Sequence, residues 1–332
     1  MQMIPLGGSG LKVGPWALGG NVFGWTADER TSFALLDAFV DLGFNLIDTA
    51  DVYSFWVPGH SGGESESVIG RWLAQGGGRR EKVVIATKLA MPMPEGKGLS
   101  RAYMRGAVDR SLKRLQTDRI DLYQSHQDDW DTPLKETLSA FGELIQAGKV
   151  RAIGASNYTA PRLAEALKLS KDKGLPRFET LQPWYNLYDR DTFEGPLADL
   201  AHAEGLGVIP YYSLAAGFLT GKYRIPADLE GSQRAYRAAD MLNPRGLRIL
   251  DTLDALGDIL DATPAQIALA WLRAKGCTPI ASATSVRQLE ELAGSLEVDL
   301  DAATLAALDK ASRIDPGEEP VRGPMPGART TT

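Results

Sequence analysis

Asp48, Tyr53, Lys88 and His126 each stand at, or just beyond, the end of a short apolar run. They supply a carboxylate, a phenol, an amine and an imidazole. Three of the runs are 45–53 (NLIDTADVY), 83–88 (VVIATK) and 121–126 (DLYQSH). Each reads as a buried strand whose last residue, or the loop just after it, is ionisable. In a closed parallel barrel all strand C-termini open on one face, and active sites sit there. The four side chains then converge although they are distant in sequence, and they make a proton-donating site.

The elements that must position them recur along the chain. Strands are expected at 16–20, 45–49, 83–88, 120–125, 150–156, 180–185, 207–212 and 278–281. Helical spacing of apolar residues fills the gaps at 31–42, 64–75, 100–115, 133–147, 160–170, 195–204 and 243–275. Thr263-Pro264 supplies an N-cap and a first-turn proline, which divides the last stretch into two helices. Gly7-Gly8-Ser9-Gly10, flanked by apolar residues, reads as the turn of an N-terminal hairpin capping one end of the domain. Strands separated by helices argue for parallel βαβ units. An open doubly wound sheet would want a Gly-rich phosphate loop after its first strand, and 18–24 (LGGNVFG) is a poor one. Eight strands with polar ends favour a (β/α)8 TIM barrel of the α/β class, with long loops at its C-terminal face. The barrel is expected to occupy 1–314 as one domain, with 315–332 as an extended or disordered tail. Residues 225–237 read as a long charged loop.

Composition narrows the function. The 332 residues are 44% hydrophobic and 23% charged, which is ordinary for a soluble globular protein. A net charge of −6 leaves no basic footprint, so nucleic acid and anionic membranes are not expected partners. The single cysteine, Cys277, cannot form an internal disulfide, which fits a reducing compartment. No run of about 18 apolar residues and no signal pattern is found, so a cytoplasmic location is expected. No His/Cys cluster has metal-ligand spacing, and no Gly-x-Ser-x-Gly elbow stands in a strand-to-helix context.

Taken together in order, the motifs resemble the aldo-keto reductases. The matching text is 45–53, then 63–70 (GESESVIG), Thr87-Lys88, 121–126, 153–157 (IGASN), 181–183 (LQP), Tyr211 and 221–223 (GKY). It covers roughly Leu6 to Ser312. The resemblance implies a barrel that binds a nicotinamide cofactor, usually NADP(H), without a Gly-rich dinucleotide fold. It makes Tyr53 the general acid and Lys88 its partner. A free phenol has a pKa near ~10; an adjacent ammonium stabilises the phenolate and lowers that value. Asp48 beside Leu46-Ile47 is costly as a lone buried carboxylate, and pairing with Lys88 satisfies both charges. His126, one of three histidines with His60 and His202, orients the substrate carbonyl by hydrogen bonding.

The resemblance also distributes cofactor contacts. Ser156, Asn157 and Gln182 bond the nicotinamide carboxamide, and Tyr211 stacks on its ring. Gly20, Asn21 and Asp48 lie alongside. Tyr212, Ser213, Leu214, Ala215, Ala216 and Gly217, with Lys222 and Arg234, run toward the pyrophosphate. Many relatives carry Tyr-Ser-Pro-Leu where this chain has Tyr211-Tyr212-Ser213-Leu214. Ser282, Ala283, Thr284, Arg287, Gln288 and Glu291 open a helix after the last strand, where hydroxyls and a helix N-terminus favour an anion. They resemble the adenosine 2′-phosphate and adenine site, with Thr284 in place of the usual arginine. Trp25, Phe55, Trp56, Trp130 and Trp184 fall near the catalytic-face loops and suit an apolar pocket for a carbonyl compound. The expected activity is NADP(H)-dependent reduction of aldehydes or ketones to alcohols. The alternative is a non-enzymatic, nicotinamide-binding regulatory subunit like the potassium-channel beta subunits. A small carbonyl substrate is the expected partner, and the oligomeric state is left open.

Overall fold

The computed structural model of the chain describes residues 2–231 and 235–315. The N-terminal hairpin pairs β1 (Ile4–Pro5) antiparallel with β2 (Lys12–Val13). Eight further strands follow: β3 (Ala17–Gly19), β4 (Leu46–Asp48), β5 (Val84–Leu89), β6 (Ile120–Ser125), β7 (Val150–Ser156), β8 (Phe178–Gln182), β9 (Gly207–Val208) and β10 (Ile280–Ala281). The helices are α1 (Glu29–Asp41), α2 (Glu64–Leu73), α3 (Arg79–Lys82), α4 (Arg101–Leu115), α5 (Leu134–Gln146) and α6 (Ala160–Lys173). They continue as α7 (Pro196–Ala203), α8 (Ala235–Met241), α9 (Pro244–Leu260), α10 (Pro264–Ala274), α11 (Val286–Ala293) and α12 (Ala302–Ser312).

The eight strands run parallel in the order β10-β3-β4-β5-β6-β7-β8-β9. Thr278 N donates to Val208 O at 2.8 Å and Ile280 N to Pro210 O at 3.0 Å. These two bonds join the ends of the sheet, and the result is the (β/α)8 barrel expected from the strand count. Bounds differ from the sequence reading by one or two residues at β3, β4, β5 and β10, and by more at β8 and β9. Pro183 lacks the amide hydrogen a ladder needs, and β8 stops at Gln182; β9 stops at Val208. Backbone bonding continues beyond them: Ile209 N donates to Leu181 O at 2.9 Å and Tyr211 N to Pro183 O at 3.0 Å, and a bridge pairs Trp184 with Tyr211.

The hairpin plugs the N-terminal end. Leu6, Leu11 and Val13 join Ala17, Leu46, Ala86 and Leu122 in the barrel's inner core. The contact is close: a Cβ on Gly7, whose φ is +55°, would lie 2.2 Å from Glu179 O. Functional chemistry is thereby left to the opposite end. The helices cover the outer face through a larger core that includes Trp16, Phe39, Trp72, Phe141 and Trp271.

Helix α2 is held where it can brace β5. A Cβ on Gly70 would meet Arg114 O at 2.0 Å, so glycine lets α2 lie directly on the end of α4. That approach brings Arg114 Nε within 2.7 Å of Glu66 Oε2, while Thr87 Oγ1 donates to Glu66 Oε1 at 2.6 Å. The residue before Lys88 is fixed in this way. The break expected at Thr263-Pro264 is present: Thr263 and Gln266 form a reciprocal capping box that starts α10.

Of the stretch expected as a long loop at 225–237, the described residues are partly helical. Pro226–Leu229 form a 3-10 turn and α8 begins at Ala235. Arg234, expected near the pyrophosphate, lies outside the described residues, as does the expected tail beyond Asp315. Among the described residues no helix is long and apolar enough to cross a membrane.

Candidate active site

Asp48 closes β4, Lys88 lies near the end of β5, and both side chains point into the barrel mouth. Lys88 is fully buried and Asp48 is 2% exposed. An ammonium has three N–H donors, and here each has an acceptor. Lys88 Nζ donates to Asp48 Oδ2 at 2.6 Å, to Thr49 O at 2.8 Å and to Tyr53 Oη at 2.9 Å. Tyr53 is carried on the turn after β4, where its N–H bonds Ala50 O. Ser54, at φ +76°, anchors that turn by donating to Phe23 O at 3.0 Å.

The other Asp48 oxygen is also occupied. Gln182 Nε2 donates to Asp48 Oδ1 at 2.8 Å and Gln124 Nε2 approaches it at 3.3 Å. A buried carboxylate is therefore surrounded by one cation and two amides, which meets its desolvation cost. The sequence reading missed Gln124. Its only signal is an inward-facing position on β6 beside Lys88, with which it is paired in register.

Electrostatics reverse one expectation. The ammonium beside Tyr53 was expected to lower the phenol pKa. Burial, followed by the Asp48 charge, instead holds the phenol well above the ordinary tyrosine value. Burial likewise lowers the pKa of Lys88, with Asp48 opposing that shift. His126 is held well below the usual histidine value by burial and by the Lys88 charge. Its imidazole is therefore neutral at neutral pH. The ring lies 5.9 Å from the Tyr53 ring, centroid to centroid, and Nδ1 is buried without a partner.

The residues expected to meet a nicotinamide form one connected group. Asn157, at φ +58°, donates through Nδ2 to His126 O at 2.8 Å and to Ser156 Oγ at 3.2 Å. Its Oδ1 accepts from Tyr211 Oη at 2.7 Å. Ser156 Oγ donates to Gln182 O at 2.8 Å. The next loop carries successive left-handed residues, with Tyr212 at φ +57°, Ala215 at +48°, Ala216 at +57° and Gly217 at +92°. Leu214 lies between them at φ −106° and ψ +20°, and the loop is closed from within: Ala215 N donates to Tyr212 O at 2.7 Å and Gly217 N to Leu214 O at 2.8 Å. Ser213 Oγ bonds back to Pro210 O at 3.0 Å, which shapes the loop that lacks the common proline. Lys222 Nζ is 3.2 Å from where a Cβ on Gly217 would lie.

A second group gathers at the β10 end. Ser282 Oγ donates to Asn21 Oδ1 at 2.6 Å. A Cβ on Gly19 would fall 2.4 Å from Ser282 Oγ, and one on Gly20 would fall 2.9 Å from Ser65 Oγ. Ala283 is buried. Thr284 N and Oγ1 both donate to Gln288 Oε1, at 2.9 and 3.0 Å. Arg287 and Glu291 are exposed.

Four of the five aromatics divide between the two sides of the site. Trp56 joins Trp25, Phe55 and Tyr53, with ring centroids 5.6, 5.7 and 6.1 Å away. Trp184 stacks on Tyr212 at 4.8 Å and lies 6.0 Å from Tyr211. Trp130 stands apart: its ring carries the Arg162 guanidinium at 4.6 Å. Among the described residues no group of three or more His, Cys, Asp or Glu side chains is placed to share a metal ion.

Comparison with known proteins agrees with this arrangement. The sequence profile described as "Aldo/keto reductase family" matches residues 11–313. The "Uncharacterized oxidoreductase YrpG" of Bacillus subtilis (strain 168) is 36% identical over 329 residues, covering 96% of this chain and 98% of the relative. "Protein tas" of Escherichia coli (strain K12) is 34% identical, covering 95% and 98%. A "Probable voltage-gated potassium channel subunit beta" of Arabidopsis thaliana is 32% identical, covering 95% and 96%.

Proposed function

This chain belongs to the aldo/keto reductase family, and from that premise we propose that it reduces aldehydes or ketones to alcohols with NADP(H), Tyr53 serving as general acid. The observation that carries the reading is the threefold donation of Lys88 Nζ to Asp48, Thr49 and Tyr53.

The residues present fit the cofactor. The Ser156–Asn157–Tyr211 group offers both donors and acceptors to a carboxamide. The Lys222 ammonium, beside Gly217 in the following loop, suits a pyrophosphate. Glycines 19 and 20 leave space at Ser282 and Ser65 that a side chain would fill. Bound NADPH supplies a hydride to the carbonyl carbon.

Everything else falls to the protein. Tyr53 keeps its proton at neutral pH because burial and Asp48 oppose the phenolate. It releases that proton only to a stronger demand, the carbonyl oxygen as negative charge grows there. At that moment the 2.9 Å bond from the Lys88 ammonium strengthens, because its acceptor becomes a developing phenolate. Only that added strength is realised in the transition state rather than the ground state. Asp48, braced by Gln182 and Gln124, keeps Lys88 charged and aimed. The neutral His126 imidazole can donate an N–H to the same carbonyl oxygen. Trp25 and Trp56 on one side, and Trp184 on the other, give the carbonyl compound apolar walls and exclude water.

A regulatory subunit without enzymatic activity has less support. Relatives named as channel subunits are 32% and 34% identical and the one named an oxidoreductase 36%, so identity does not separate the readings; the intact proton-donating group favours the enzyme. The test is loss of reduced-nicotinamide absorbance with NADPH or NADH against a panel of aldehydes, ketones and sugars. Turnover of none of them by folded protein would remove the enzymatic reading.

A further inference from the structure

Arg237, on α8, is 6% exposed. A guanidinium stays charged in any protein environment, and a buried cation is costly unless it is paired. Yet two of its nitrogens, Nε and Nη2, are buried without a hydrogen-bond partner. These two lie on one edge of the guanidinium plane. That edge is the fork that donates two parallel bonds to a carboxylate or phosphate.

The side chain is held by aromatic faces. Its Cζ lies 4.3 Å from the centroid of Trp184 and 6.0 Å from that of Tyr212. Those rings stack on each other at 4.8 Å with an interplanar angle of 25°. The cation–π contacts offset part of the desolvation and fix the plane, but they leave the edge free. The neighbouring carboxylate whose charge Arg237 supports is Asp189. Its Oδ2 already accepts from Trp184 Nε1 at 2.8 Å and Asn186 Nδ2 at 3.0 Å. Asp189 therefore braces the stack and does not pair the fork.

The stack borders the reacting groups. Tyr212 is 37% exposed, and its ring lies 5.5 Å from that of Tyr211. Tyr211 in turn donates to Asn157 Oδ1 at 2.7 Å, and Asn157 Nδ2 to His126 O at 2.8 Å. We infer that Arg237 reads the anionic oxygens of a ligand bound at the barrel mouth, a carboxylate or phosphate held by its Nε–Nη2 edge. The inference rests on the reductase reading above and deepens it. Two sources share this chemistry: an acid group on the carbonyl substrate, and the cofactor's own pyrophosphate.

Arg237→Gln removes the charge while keeping polarity, and Arg237→Lys keeps the charge but not the fork. For each variant and the parent, kcat/KM is measured for benzaldehyde and 4-carboxybenzaldehyde at saturating NADPH. The NADPH dissociation constant is measured by nucleotide fluorescence. If the substrate supplies the anion, Arg237→Gln lowers the ratio of kcat/KM for the acid over the neutral aldehyde by about tenfold or more, one charge-assisted bond's share. If the cofactor supplies it, the ratio holds and the NADPH dissociation constant rises by a similar factor. In either case Arg237→Lys recovers only part of the loss. A ratio and a dissociation constant both within twofold of the parent, with or without a fall in melting temperature, overturn the inference. Should Arg237→Gln not fold, Arg237→Lys decides by the same two readouts, and an unchanged pair again overturns it. Failure of the parent to turn over either aldehyde counts against the reductase reading alone. Binding of NADPH and of 4-carboxybenzaldehyde, followed by tryptophan quenching in parent and Arg237→Lys, then decides the anion site by itself.

Discussion

Gln182 reaches across the barrel mouth and donates to Asp48 Oδ1 at 2.8 Å, so a residue expected to face the cofactor also steadies the carboxylate that aims Lys88. The backbone carbonyl of Gln182 meanwhile accepts from Ser156 Oγ. One side chain and its own peptide thus join the proton-donating group to the proposed carboxamide group.

Replacing Tyr53 by Phe keeps the ring that packs against Trp56 and removes the proton donor. General acid catalysis typically contributes ~10²–10⁴-fold, and kcat for aldehyde reduction is expected to fall within that range. NADPH affinity, measured by fluorescence titration, is expected to change little. Turnover near that of the parent would sink the assignment of Tyr53 as the acid.

The basic limb of the pH–rate profile is expected to report Lys88 and not Tyr53. The Lys88 pKa is lowered by burial, whereas that of Tyr53 is raised. As pH rises the ammonium is therefore lost first, and with it the donor that stabilises the developing phenolate. Reduction should decline as pH passes through the depressed lysine value, below the ordinary ~10.4. Lys88→Met should cripple turnover at every pH. Lys88→Arg, if partly active, should move the limb upward, since a guanidinium does not deprotonate. An unmoved limb in that variant would assign the titration to another group.

His126 makes stability depend on pH in a direction that can be worked out. Its folded pKa is depressed by burial and by Lys88, while the unfolded chain titrates near ~6.5. Between those two values the unfolded state binds more protons, so stability rises with pH there. On acidification the protein is expected to lose stability from about the unfolded value down toward the folded one. His126→Gln should flatten that part of the curve. Urea midpoints of parent and variant between pH 7.5 and 5, in matched salt, give the comparison; parallel curves would contradict it.

The barrel was readable because each strand is an apolar run closed by a polar residue, and the period of the helices between them is distinct. The placement of Asp48, Lys88 and Tyr53 followed from those strand ends. What could not be read depends on depth and direction. A sequence shows that an ammonium is near Tyr53 but not that burial and Asp48 outweigh it. Gln124 looks like any polar residue within a strand until its register beside Lys88 is known. Arg237 lay in a stretch whose charge and proline suggested a loop, and only packing of α8 onto Trp184 buries it. Pro183 closes β8 at Gln182, short of the expected end at 185.

Cofactor choice is the remaining test, and it turns on the start of α11. Ser285 caps that helix by accepting from Gln288 N at 3.3 Å. Thr284 directs both its N–H and its hydroxyl to Gln288 Oε1, so this turn is already satisfied without a phosphate. Ser282 is engaged with Asn21. Arg287 is the exposed cation at the same helix end, where the dipole also favours a doubly charged group. Selectivity for the 2′-phosphate of NADPH is therefore expected to depend on Arg287 more than on the hydroxyls. Losing one charge-assisted bond of about 1.5–3 kcal/mol corresponds to roughly tenfold or more in affinity. Arg287→Ala should raise the dissociation constant for NADPH by that factor and leave that for NADH almost unchanged. The difference should shrink at high salt, because an exposed pair is screened. Fluorescence titration with both cofactors at two ionic strengths measures it. Equal loss for both, or loss for neither, would show that Arg287 does not read the phosphate.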